Sequence, residues 1–138
     1  MIFIKTNFIV FILIVIFVIY LFLNKSNNSS ILDEEFTNSN DILVRMFYVN
    51  WCGYCKETKP EFKSLIKTYN NKKKINNIKI IFEMIDCEES EENNNLAKKM
   101  NIEGYPTIIA NYKNKLHTFQ SGDRSRESIL LWIKKIIN

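Results

Sequence analysis

One histidine, His117, and three cysteines, Cys52, Cys55 and Cys87, are all the His and Cys ligands in 138 residues. A structural zinc site wants four Cys or His ligands. The Cys52/Cys55 pair would have to recruit Cys87 and His117 from distant elements, so the ligand count argues against a metal. Haem attachment needs a histidine directly after the second cysteine of the pair, and Lys56 stands there instead. No cofactor is called for. A one-sided basic stripe is missing too: the net charge of +4 comes from scattered lysines, interrupted by Asp33, Glu34, Glu35, Glu88, Glu89, Glu91 and Glu92. Lys72, Lys73 and Lys74 form the one basic run, with no aromatic residue interleaved to stack on bases, and read as a solvated helix end. A nucleic-acid partner is therefore not expected. The chain has no internal repeat and is long enough for one ordinary domain.

No alanine or glycine occurs before Gly53. A cleaved signal peptide ends in a small-x-small site, and the polar stretch after Leu23 has no two small residues at that spacing. What is present is an unbroken apolar run from Phe8 to Leu23, about 24 Å as a helix against a hydrocarbon core of roughly 30 Å. Lys5 and Lys25 can snorkel at its ends, with Tyr20 near one interface. The run predicts an uncleaved, single-pass membrane anchor within residues 1–23. The amino group with Lys5 on one side, against Lys25 followed by acids on the other, points to a cytoplasmic N-terminus and a lumenal or exoplasmic domain. Asn24, Asn27 and Asn28 each begin an N-x-S sequon, which is compatible with that side. Residues 24–40, rich in Asn, Ser and acid, read as a polar linker to a folded domain over 41–138.

Within that domain, Ile42–Val49 and Ile78–Ile85 are apolar, β-branched runs that predict buried strands. Phe62, Leu65, Ile66 and Tyr69 recur at helical spacing, and Pro60 is expected to kink their helix. Ser90 reads as the N-cap of a short helix with Leu96, Ala97 and Met100 inward. Thr107–Tyr112 and Leu116–Phe119 flank Lys113-Asn114-Lys115 as a hairpin, and a last helix begins near Ser125. The order predicts an α/β fold: a mixed four-stranded sheet with helices on both faces.

The chemistry lies at the first strand-to-helix junction, Trp51-Cys52-Gly53-Tyr54-Cys55-Lys56. Thiols three residues apart on a helix come within disulfide range. Cys52, in the first turn, faces unpaired N–H groups and the positive end of the helix dipole, which favour a thiolate. Lys56, one turn later, adds to that field, and Cys55 lies deeper. An exposed attacking thiolate with a second thiol behind it is what thiol–disulfide exchange needs.

With Gly104-Tyr105-Pro106-Thr107 before the hairpin and Pro60 five residues after Cys55, the region from Asp41 to Asn138 resembles the thioredoxin fold. Through WCGYCK, GYPT and Gly122-x-Arg124 it is most similar to the thioredoxin domains of protein disulfide isomerases. The resemblance implies a cis Pro106 packed against the disulfide, and a Tyr105 backbone that pairs with an extended substrate. It makes Trp51, Gly53, Tyr54, Tyr105 and Pro106 the substrate-contacting candidates. It also implies that Arg124, with Lys56, tunes the thiols. Cysteine-containing proteins are then the substrates, the membrane is held through residues 8–23, and the upstream redox partner is left open. Alternatives are a cytosol-facing reductant and a membrane-tethered binding module that captures partners at the Tyr105-Pro106 edge. The buried acid usual in the family six residues before the first cysteine is replaced by Met46. Cys87 reads as a buried small hydrophobe.

Overall fold

The computed structural model describes residues 12–20, 40–70 and 73–138. Contacts divide the chain into two units, residues 1–36 and 37–138. In the first, residues 12–20 are helical and exposed. Among the described residues no helix is long and apolar enough to cross a membrane. The ends of the expected anchor and nearly all of the expected linker over 24–40 lie outside the described residues.

The second unit runs β1 (Ile42–Tyr48), α1 (Gly53–Tyr69), β2 (Lys74–Ile75), β3 (Ile78–Asp86), α2 (Glu91–Lys99), β4 (Thr107–Tyr112), β5 (Lys115–Thr118) and α3 (Arg126–Ile137). The sheet order is β2-β3-β1-β4-β5. β1 lies parallel to β3 and antiparallel to β4, while β2 and β5 are antiparallel edges.

The sheet thus has five strands where four were expected. The extra strand is β2, and Lys74 belongs to it rather than to a helix end. Asn76 and Asn77 follow with φ of 50° and 64°. That left-handed pair is the two-residue hairpin turn asparagine favours, and it folds β2 back onto β3. Lys113 and Asn114, at φ 49° and 61°, make the same turn between β4 and β5.

β1 is central and buried on both faces, as its near-continuous apolar sequence requires. Ile42, Val44 and Met46 join Phe62, Leu65 and Tyr69 of α1 and Ile129 and Ile133 of α3 in the larger core cluster. Phe47 and Val49 join Cys52, Cys55, Cys87, Ala97 and Ile109 in the smaller one. The redox candidates are therefore built into a core cluster.

α1 continues through Pro60 without a break. Its C-cap, Asn70, bonds the main chain of Phe82 in both directions, donating from Nδ2 and accepting at Oδ1, each at 2.8 Å. This clamps the α1 end to β3. Ser90 and Ser125 cap α2 and α3 by accepting from the N–H of Asn93 (3.1 Å) and Ser128 (3.3 Å).

Candidate active site

The turn after β1 delivers Cys52 as the N-cap of α1, with extended backbone at φ −75° and ψ 119°. Its Sγ accepts the Cys55 N–H at 3.2 Å, one of the donors a helix start leaves without an internal partner. The same sulfur donates its proton toward the Tyr105 carbonyl at 3.4 Å. Cys55, inside the helix, is fully buried, while Cys52 keeps 7% of its surface exposed. The sequence reading expected an exposed Cys52; instead the structure buries both thiols, because the N-cap sulfur turns inward onto the Cys55 N–H and the Tyr105 carbonyl. All three cysteines are free thiols here.

Burial pushes the Cys55 thiol up to about 11, reinforced by its hydrogen bond to Cys52. The Val49 main-chain donor and the Lys59 ammonium oppose that rise. The proton thus rests on the inner sulfur, held toward the outer one.

Trp51 and Tyr54 flank the thiols with 70% and 67% of their surface exposed, an apolar rim that a soluble surface rarely keeps without use. Gly53 opens α1 and is exposed. Opposite, the Tyr105–Pro106 bond is cis, which agrees with the resemblance. Pro106 is buried, and Tyr105 lies outside β4 with its ring meeting Trp51 edge-on, centroids 6.4 Å apart. One residue thus offers its carbonyl to Cys52 and its ring to the exposed tryptophan.

Arg124 is half-buried, 6.0 Å from the Tyr54 ring centroid, with Nη1 3.4 Å from the Gly122 carbonyl. It lines a groove of about 430 Å³ beside Tyr54, with Glu57, Glu61, Asp123 and Glu127. Lys56 is exposed on α1, its N–H bonded to the Cys52 carbonyl at 3.2 Å.

Two features escaped the sequence reading. Lys59, one turn beyond Cys55 on α1, bonds Asn50 Oδ1 at 2.8 Å and sits 3.8 Å from the Tyr48 ring centroid. The i, i+4 spacing from Cys55 was the available signal. Cys87 is indeed buried, but its sulfur also interacts with the Tyr105 hydroxyl, which lowers a thiol that burial raises. No sequence signal joins residues eighteen apart in this way. Among the described residues no cluster of His, Cys, Asp and Glu could hold a metal ion.

Residues 22–135 match the family Thioredoxin. The chain belongs to the thioredoxin family. It is 31% identical over 101 residues to protein disulfide-isomerase 1 of Dictyostelium discoideum, covering 73% of this chain and 26% of that protein. It is 29% identical over 123 residues to the protein disulfide-isomerase of Ricinus communis, covering 81% of this chain and 23% of that one. The chain thus spans about a quarter of the length of these curated relatives. Among solved structures, the first thioredoxin domain of mouse protein disulfide-isomerase A4 superposes with a TM-score of 0.57 at 25% identity, covering 76% of this chain and 69% of that one. This thioredoxin domain is therefore similar to those of the disulfide isomerases, and its mixed α/β sheet is theirs.

Proposed function

We propose that the protein is a membrane-anchored thiol–disulfide oxidoreductase that exchanges disulfides with cysteine-containing proteins through Cys52 and Cys55. One observation carries the reading: a nearly covered Cys52 sulfur at a helix start, bonded by the Cys55 N–H, with a buried thiol directly behind it. In the proposed reaction the Cys52 thiolate attacks one sulfur of a substrate disulfide, and the other substrate sulfur leaves with the electron pair. Cys55, losing its proton to water, then attacks Cys52, closes the Cys52–Cys55 bond and releases the first substrate sulfur, which takes up a proton. Two electrons pass to the substrate, and the reverse sequence oxidises a dithiol. Trp51, Gly53, Tyr54, Tyr105 and Pro106 form the surface that receives substrate. The Tyr105 main chain, outside the sheet ladder, suits an extended segment of any sequence.

The membrane part of the proposal rests on the Phe8–Leu23 run and on the exposure of every apolar side chain over 12–20. In this reading the domain faces the lumenal or exoplasmic side, on the charge difference between Lys5 with the amino group and Lys25 with its following acids.

The test is trapping in membranes. Cys55→Ser should accumulate mixed disulfides through Cys52, and Cys52→Ser should accumulate none; equal trapping by both variants overturns the role assignment. For the anchor, mass spectrometry of the mature chain should find residues before Leu23, with the domain shielded from protease in sealed vesicles. A soluble product beginning near Asn24 refutes it.

A further inference from the structure

Cys55 must lose a proton in a pocket made of Phe47, Val49, Cys52, Cys87, Ala97 and Ile109. The strand position where the family resemblance expects an acid holds Met46, fully buried and paired in register with Met84. A thiolate formed there needs charge from elsewhere.

Lys59 lies one helical turn from Cys55, so both project from the same face of α1. Its ammonium is fixed rather than free. Asn50 Oδ1 accepts from it at 2.8 Å, and the Tyr48 ring lies beneath it with the centroid at 3.8 Å. Asn50 is held in turn: its Nδ2 donates to Asp86 Oδ2 and its N–H to Glu88 Oε2, both at 2.8 Å. Burial and the neighbouring Asp86 carboxylate raise the Tyr48 hydroxyl above its ordinary value. Thus the ends of β1 and β3 build a seat for one lysine beside the turn that carries Cys52.

We propose that Lys59, seated by Asn50 and Tyr48, is a positioning residue for the resolving step, supplying the positive charge that the Cys55 sulfur meets as it attacks Cys52. The proposal rests on the thiol–disulfide reading of the pair. In that step the Cys55 proton goes to water, the Cys55–Cys52 bond forms and the Cys52–substrate bond breaks. The electron pair leaves on the substrate sulfur, which is protonated from water. Lys59 stays an ammonium throughout and transfers nothing. The other groups facing Cys55 are Cys52 on α1, the Val49 main chain beyond the end of β1, the Cys87 thiol just after β3 and Tyr105 beside Pro106. Those facing Lys59 are Tyr48 and Asn50, with Asp86 and Glu88 reaching it through Asn50.

The experiment mixes the reduced full chain with oxidised glutathione and quenches with acid. Peptide mass mapping then separates the Cys52–glutathione mixed disulfide from the Cys52–Cys55 disulfide, from neutral to alkaline pH. Formation of the mixed disulfide is the internal reference for the first step. Removing the cation in Lys59→Met should slow resolution about three- to tenfold near neutral pH, equal to half to one pKa unit, and move the pH profile to higher pH. Lys59→Arg should restore most of the rate. Asn50→Ala, which frees the ammonium without deleting it, should fall between. A loss caused only by packing would lower the rate without moving the profile, and Lys59→Arg would not rescue it. Superimposable profiles for wild type and Lys59→Met, or a Lys59→Arg as slow as Lys59→Met, overturn the proposal while leaving the oxidoreductase reading intact. A wild type that never closes the Cys52–Cys55 bond overturns both. Should Lys59→Met fail to fold, Asn50→Ala and Lys59→Arg decide by the same profile shift.

Discussion

Alkali should unfold the reduced protein partly through one thiol. In the unfolded chain a cysteine ionises near pH 8.5, whereas burial holds Cys55 up to about 11 in the fold. Below the unfolded value both states keep the proton, and the contribution to stability is fully present. As pH rises through the window between the two values, the unfolded chain ionises while the native one does not, and stability drains away. A separation of about 2.5 units at about 1.4 kcal/mol each gives a loss on the order of 3 kcal/mol. That is a large share of the stability of one small domain. The assay is urea unfolding under strong reductant at intervals from neutral to alkaline pH, with Cys55→Ala run in parallel. Lysines, tyrosines and Cys87 are present in both proteins, so the difference between the two curves reports Cys55 together with its bond to Cys52. Wild type should lose more stability than Cys55→Ala across the window. Parallel curves would show that the buried thiol ionises as an unfolded one does, and would refute the account of its environment.

Asn70→Ala deletes both 2.8 Å bonds to Phe82 and leaves main-chain groups unpaired. It should cost about 1–3 kcal/mol in thermal unfolding and leave thiol chemistry intact; an unchanged melting temperature would contradict the clamp. Tyr105→Phe removes the hydroxyl that lowers the Cys87 thiol. Cys87 should then ionise at higher pH and alkylate more slowly in mild alkali, read by peptide mapping; faster alkylation at unchanged stability would count against the contact.

What was legible in the sequence was local. The Cys52-to-Cys55 spacing, the apolar β1 run and the caps at Ser90 and Ser125 each depend on residues within one or two turns, and the structure has them there. β2 was not legible, because two residues carry no periodicity and its signal lies in the Asn76-Asn77 turn. Register was not legible either. Arg45 is buried on β1 because Glu83 stands beside it on β3, with Nε and Oε2 3.0 Å apart. The Asn50 seat for Lys59 likewise joins the ends of two strands that only the sheet brings together.

The cis-Pro side of the site has a logic that follows from which groups hold the Cys52 sulfur. In the dithiol, the Cys52 proton points to the Tyr105 carbonyl while the Cys55 N–H points to the sulfur. In the proposed reaction the first contact is lost when Cys52 ionises, because a carbonyl oxygen beside a negative sulfur is repelled. The second is strengthened, because a hydrogen bond to an ionised acceptor is roughly twice as strong as a neutral one. Ionisation therefore frees the Tyr105 carbonyl when the thiolate is ready to attack. An extended substrate whose N–H then donates to that carbonyl replaces the lost bond and brings its own sulfur toward Cys52. Trp51 leans on the same residue through its edge-on contact with the Tyr105 ring, so the exposed apolar rim and the backbone acceptor adjoin as one surface on which the proposed substrate would rest. In the proposed reaction, binding and thiol activation are thus linked at Tyr105 by hydrogen bonding.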